Sequence, residues 1–273
     1  MSLSLVTNTA SLNAQRSLSI SQGKMEHSLR NLASGLRVNS AADDAAGLAI
    51  SEKLHATSRS MRMAQRNASD AMSLVQTAEG AMSEISSMLI RARELAVQSA
   101  TETTGIPERR FIEEEAQTLF REMERIAQVT EFNGQALLDG TGNFRFQVGT
   151  DNTVHDRLRL SVNSMRAVDV GVSVVSLGTQ AGAQSALTRL DRSIEYVAAA
   201  RAELGAMSNR LESTVANLDT TREKLTAARS RIVDTDVAQE SANLTKHNIL
   251  LQANISVLAQ ANQAPSIALS LLG

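Results

Sequence analysis

The chain has 273 residues, 2% of them aromatic, with no Trp, no Cys and two prolines, Pro107 and Pro265. That supply is poor for a broad globular core, excludes disulfide and thiolate chemistry, and permits long uninterrupted helices. A formal charge of -2 carries no basic excess for a general nucleic-acid binder, and no apolar run reaches the ~18 residues of a membrane span.

The first residues, "MSLSLVTNTASLNAQ", have neither the basic start nor the apolar block of a cleavable signal. Any export is therefore expected to use another route. No charged side chain precedes Arg16 and none follows Lys246. Next comes "SGLRVNSAADDAAGLAIS" (34–51), where Asp43 and Asp44 sit among small residues. A metal site would need more ligands brought together. The spacing instead predicts a joint flanked by Gly35 and Gly47, with Ser40 as helix N-cap and Asp43 as the acid three residues on.

From Met61 onward the apolar positions step by three and four: Ala64, Ala68, Ala71, Val75, Ala78, Met82, Ile85, Leu89, Ala92 and Ala96. This is a heptad seam. It predicts a helix from about Asp44 to Ser99, roughly 80 Å long. "TETTGIP" breaks it, and a second helix is predicted with Ile112, Ala116, Leu119, Met123 and Ile126 on one face. On that helix Arg109 and Glu113, like Arg110 and Glu114, have the spacing of surface ion pairs.

From about 133 to 182 the pattern becomes irregular. "FNG" (132–134) and "LDGTGN" (138–143) signal turns, and "FRFQVG" (144–149) and "LRLSV" (158–162) alternate as a β-hairpin would. "VDVGVSVV" (168–175) reads as either a further strand or an extended segment.

The C-terminal half repeats Leu190, Val197, Leu204, Leu211, Leu218, Leu225 and Ile232 at intervals of seven. Small alanines on the first long helix are expected to face these larger residues, since large-against-small packing lets two axes approach and fills the space between them. The alternative is that each seam faces something else. The tail keeps helical spacing through Leu244, Leu251, Ile255 and Leu258 among uncharged polar residues. Such a helix takes its stability from packing, so both ends are expected to need a partner. The fold class is thus mainly α, a long antiparallel coiled-coil sheaf with a small β-hairpin region.

The four histidines, His27, His55, His155 and His247, have no zinc spacing, and no phosphate-binding loop motif occurs. No catalytic residue, metal or cofactor is expected, and the chain does not read as an enzyme.

Four stretches, "NLASGLRVNSAADDAAGLAIS" (31–51), "QTAEGAMSEISSMLIRARELAVQSA" (76–100), "FNGQALLDG" (132–140) and "ARSRIVDTDVAQESANLTKHNILLQANISVLAQANQAPSIALSLLG" (228–273), resemble bacterial flagellin, here with its variable outer domains nearly absent. The resemblance implies a self-assembling subunit of the extracellular flagellar filament. Residues 1–42 and 236–273 would pair as the inner tube, largely disordered in the free monomer, and 43–235 would form the surrounding rod-like domain. Polymerisation contacts are then expected at Leu3, Leu5, Leu12, Leu244, Leu251, Ile255 and Leu258. The implied partners are further copies of the chain, a flagellar cap protein, hook-associated proteins and a secretion chaperone on the C-terminal helix. Export would run through the flagellar type III apparatus without a cleavable signal. In host-recognised members Toll-like receptor 5 reads the helical domain, and Arg91, Leu95 and Glu115 stand at the matching positions. Nucleic-acid binding and membrane insertion are not implied. Two rivals remain: a hook–filament junction protein, which shares the terminal pattern, and a non-polymerising signalling or scaffold coiled coil, which would not need uncharged ends.

Overall fold

The computed structural model describes residues 7–270, so Leu3 and Leu5 lie outside the described residues. In chain order the elements are α1 (Thr9–Ser34), α2 (Ala45–Ala100), α3 (Ile106–Val129), β1 (Glu131–Phe132), β2 (Gln135–Ala136), β3 (Asn143–Gln147), β4 (Arg157–Ser161), α4 (Ala167–Val170), α5 (Gln180–Val233) and α6 (Val237–Ser270). Two compact units result, one of Met1–Ala56 with Lys224–Gly273 and one of Thr57–Glu223. The division falls inside α2 and α5, whereas the boundaries expected from sequence stand at the chain breaks near 43 and 235.

In the unit of 57–223, α2 and α5 run antiparallel. Gln65 donates to Asp219 at 3.0 Å, Glu79 lies 3.9 Å from Arg201, and Arg93 lies 2.5 Å from Asp191. As numbers rise along α2 they fall along α5. The α2 seam, Ala64 through Ala96, is buried, and so are Leu190, Val197, Leu204 and Leu211 of α5 in the same apolar cluster. Both rows are therefore buried in one cluster up to Leu211, beyond which Leu218 is only half-buried. Each of the larger side chains contributes about 1.5–3 kcal/mol on full burial.

Thr101–Gly105 turn the chain, and Pro107 sits in the first turn of α3, where a missing N–H costs nothing. Arg109 does not pair with Glu113 as its spacing suggests. Its guanidinium donates to the carbonyls of Ser99 (2.9 Å) and Thr101 (2.8 Å), covering acceptors that the end of α2 leaves free. The buried stripe of α3 is Ile112, Ala116, Phe120, Met123 and Ala127, while Leu119 and Ile126 stand beside it half-buried.

The predicted hairpin is present as β3 against β4, antiparallel, with Phe146 opposite Leu158 and Phe144 opposite Leu160. Leu158, Leu160 and Val162 point into the core. A smaller hairpin, β1–β2, closes through Asn133 and Gly134, both at positive φ (50° and 74°), the conformation that an Asn-Gly turn supplies. Residues 168–175 are neither of the two forms expected. They make the end of the single-turn helix α4, stopped by Gly171 at φ 88°, and then a chain of turns.

Ile85 is fully buried and Ile90, on the same helix, is 49% exposed. Ile85→Ala should cost about 2–5 kcal/mol in urea unfolding, and Ile90→Ala should stay within about 0.5 kcal/mol. Equal losses would show that the α2 seam is not where the core lies.

Candidate functional site

The unit of 7–56 with 224–270 is built around two chain breaks and one helix pair. α1 ends at Gly35, whose φ of 70° is left-handed and suits glycine. From there the chain runs against the break between α5 and α6. Arg37 N–H donates to Val233 O at 2.6 Å, Thr235 N–H donates to Gly35 O at 3.0 Å, and Leu36 bridges Asp234. Val38 and Val233 are buried beside this clasp.

The two acids of the joint have separate tasks. Asp43 accepts from the backbone N–H of Asn39 (3.0 Å) and Ser40 (2.9 Å) and from the Ser40 hydroxyl (3.0 Å), and lies 3.2 Å from His27 Nε2. Asp44 accepts from Gly47 N–H at 2.8 Å and is the residue before α2, so it is the N-cap. The expectation of Ser40 as cap is corrected on this point. Ser40 and Asp43 close a turn of their own, Asp43 N–H to Ser40 O at 3.1 Å, and the helix begins only at Ala45. A Cβ at Gly47 would meet the Asp44 carboxylate, which would have to shift. The same device starts α6, where Asp236 accepts from Ala238 (2.9 Å) and Gln239 (3.2 Å). Sequence reasoning missed it, although an Asp just before a helical run is the available signal. His27 is also more than a solvated side chain, being bonded through Asn31 (3.2 Å), itself bonded to Asn39 (3.0 Å).

α1 and α6 form an antiparallel pair. Asn8 donates to Ala261 O at 2.8 Å, Ser11 to Asn262 at 2.8 Å, and Asn254 to Ser21 at 2.9 Å. The α1 side of the seam is small and polar: Ser11, Ala14, Ser21, Ser28 and Asn31 are its buried residues. On α6, Leu244, His247, Leu251, Asn254 and Leu258 are half-buried. Leu12 (55% exposed) and Ile255 (52%) are not in the seam, and with Ile20, Leu29, Ile249 and Val257 they leave large apolar side chains in water. No helix among the described residues is long and apolar enough to cross a membrane, and no cluster of three or more His, Cys, Asp or Glu among them could hold a metal.

Comparison with known proteins decides the family. Residues 5–143 match the bacterial flagellin N-terminal helical region and residues 187–272 match the bacterial flagellin C-terminal helical region. The chain belongs to the bacterial flagellin family. It is 44% identical over 266 residues to a flagellin of Halalkalibacterium halodurans, covering 97% of this chain and 98% of that one. It is 39% identical over 302 residues to a flagellin of Bacillus subtilis, again covering 97% and 98%. The crystal structure of Bacillus cereus flagellin superposes with a TM-score of 0.52 at 32% identity, covering 56% of this chain and 88% of that one. The protein is accordingly a structural subunit that polymerises into the bacterial flagellar filament, outside the cell.

In the unit of 57–223, the three positions matched to receptor contacts divide. Arg91 bonds Glu115 at 2.8 Å and Glu94 at 3.1 Å on the surface, and these carboxylates, Glu115 first, hold its guanidinium still more firmly protonated. Leu95 is only 2% exposed. It lies beside the seam, three residues after Ala92 and one before Ala96, and packs into the core cluster.

The Asn39 and Ser40 amides, then the Ser40 hydroxyl and His27, hold the Asp43 carboxyl below its ordinary 3.8. A lowered folded value means that the stabilisation is present above the unfolded pKa and is lost as pH falls through the folded one. The Asn39 and Ser40 amide resonances should therefore titrate together with a midpoint below 3.8 and stop titrating in Asp43→Asn. A midpoint at or above the ordinary value would contradict this account.

Proposed function

We propose that residues 1–42 and 236–273 line the inner tube of the filament, with 43–235 as the rod-like layer around it. The observation that carries this reading is the exposed apolar set on α1 and α6, Leu12, Ile20, Leu29, Ile249, Ile255 and Val257, which the pair itself does not cover. Further copies of the chain are the natural cover, because each copy brings the same apolar rows and no charge after Lys246. Polymerisation then couples ordering of the terminal helices to burial of these side chains.

The seam residues Leu244, Leu251 and Leu258 hold the pair, and the outward ones hold its neighbours. Before assembly the same α6 face is the surface a secretion chaperone would cover, and the chain would travel unfolded through the type III apparatus without a cleavable signal. A cap protein at the distal end and hook-associated proteins at the base complete the partner set. Recognition by Toll-like receptor 5 would rest on exposed Arg91 and Glu115 without Leu95; a silent reporter cell line would count against it.

Seeded growth followed by electron microscopy tests the tube assignment. Ile255→Asp should stop elongation, because a carboxylate would be buried without a partner at a cost of several kcal/mol, yet leave the fold of 57–223 unchanged by circular dichroism. Leu251→Asp should stop it too. Normal filaments from Ile255→Asp would overturn the assignment.

A further inference from the structure

Residues 166–177 cross α3 with little regular structure of their own, and α3 grips them at both ends. Glu113, Gln117, Phe120 and Glu124 recur at the spacing of one helix face, which sets the two carboxylates about 16 Å apart along the axis. At one end Glu124 accepts from the Ala167 N–H at 2.7 Å and from Arg166 Nε at 3.0 Å. At the other, Glu113 accepts from the Leu177 N–H and from the Ser176 hydroxyl at 3.4 Å. Between them Gln117 Nε2 donates both to Glu113 (2.8 Å) and to Val175 O (3.1 Å). From α5, the Ser193 hydroxyl donates to Val170 O at 2.8 Å. The inward side chains Val170, Val172, Val175 and Leu177 are buried, while Val168 and Val174 are exposed.

We propose that the charges of Glu113 and Glu124 latch residues 166–177 shut against the core, as a strap that opens locally when those charges are removed. Backbone N–H groups bonded to a carboxylate are held about twice as strongly as those bonded to a neutral acceptor, and the strap has no sheet ladder to replace them. Spacing alone pairs Glu113 with Arg109, but Arg109 is occupied at the end of α2, which leaves the carboxylate to the strap.

The charged and titratable groups around Glu124 are Arg166 and Asp169 on the strap side, and Arg121 and Arg125 on its own helix. Arg166 also acts on Asp139, and Tyr196 of α5 reaches Ser164 O at 3.3 Å. Around Glu113 they are Arg109, Arg110 and Glu114 of α3, with none on Val175–Gly178. Burial pushes the Glu124 carboxyl up, but the Ala167 amide, Arg166 and Gln128 together outweigh it and hold the group below its ordinary 4.5. Its contribution is therefore present above the unfolded pKa and lost as pH falls through the folded one.

Amide hydrogen exchange of the full-length monomer, read by peptide mass spectrometry at neutral pH, tests the latch. In Glu113→Gln/Glu124→Gln, which keeps size and removes charge, peptides over 164–178 should exchange about tenfold faster, with peptides over 190–211 unchanged. In the parent chain, exchange over 164–178 corrected for intrinsic rate should accelerate as pH falls below 4.5, a response that Glu124→Gln should blunt. Unchanged strap exchange in the double variant, equal acceleration over 190–211, or a full pH response in Glu124→Gln would each overturn the proposal.

Discussion

Close packing of a row of alanines against a row of leucines is the constraint on which the unit of 57–223 depends. Ala68, Ala71, Ala78, Ala92 and Ala96 have no side chain beyond Cβ and share one buried cluster with Leu190, Leu204 and Leu211, whose larger side chains fill the room that small ones leave. A larger residue in the alanine row would push the axes apart along several turns. The α3 stripe and the β3–β4 hairpin then close the sides of this pair, with Met123, Leu158 and Leu160 in the same cluster. With 2% aromatic residues, the chain builds this cluster almost entirely from aliphatic side chains and methionine.

The unit of 7–56 with 224–270 uses the same antiparallel plan with a different seam. Serines and an asparagine join Ala14 at the buried positions of α1, and the cross-helix bonds run through Asn8, Ser11, Ser21 and Asn254. Neutral hydrogen bonds of this kind each contribute about 0.5–1.5 kcal/mol net. They also specify register, since each donor must meet its acceptor. The apolar side chains missing from this seam stand on the outside, where a filament can use them.

Helical spacing makes the frame legible from the residues alone. The α2 seam and the β3–β4 pairing follow from steps of three and four or of two, and the break at 101–105 from the Gly and Pro of "TETTGIP". Spacing says which residues share a face, but not what that face meets. That limit explains the errors. Ser40 resembles a cap because a serine precedes an acid by three, whereas the N–H groups needing a cap begin after Asp44. Arg109 and Glu113 have pairing distance, yet both are taken by backbone groups from other segments. At 166–177, Val168, Val170, Val172 and Val174 alternate as a strand would, yet tertiary bonds hold the segment as a short helix and turns. Leu95 stands beside the seam of Ala92 and Ala96 and not on it, so its burial comes from what that flank meets and is not legible in the spacing. Among the tail residues, spacing does not separate Leu251 and Leu258 from Ile255; only the partner helix fixes which side is inside.

The central claim is that the outward apolar side chains of α1 and α6 are reserved for neighbouring copies. A cryo-electron microscopy structure of the assembled filament tests it most directly. Leu12, Ile20, Ile249, Ile255 and Val257, all exposed in the single chain, should be buried against other subunits around a central channel. If those side chains remain in solvent in the filament, with subunits joined through other surfaces, the account is wrong.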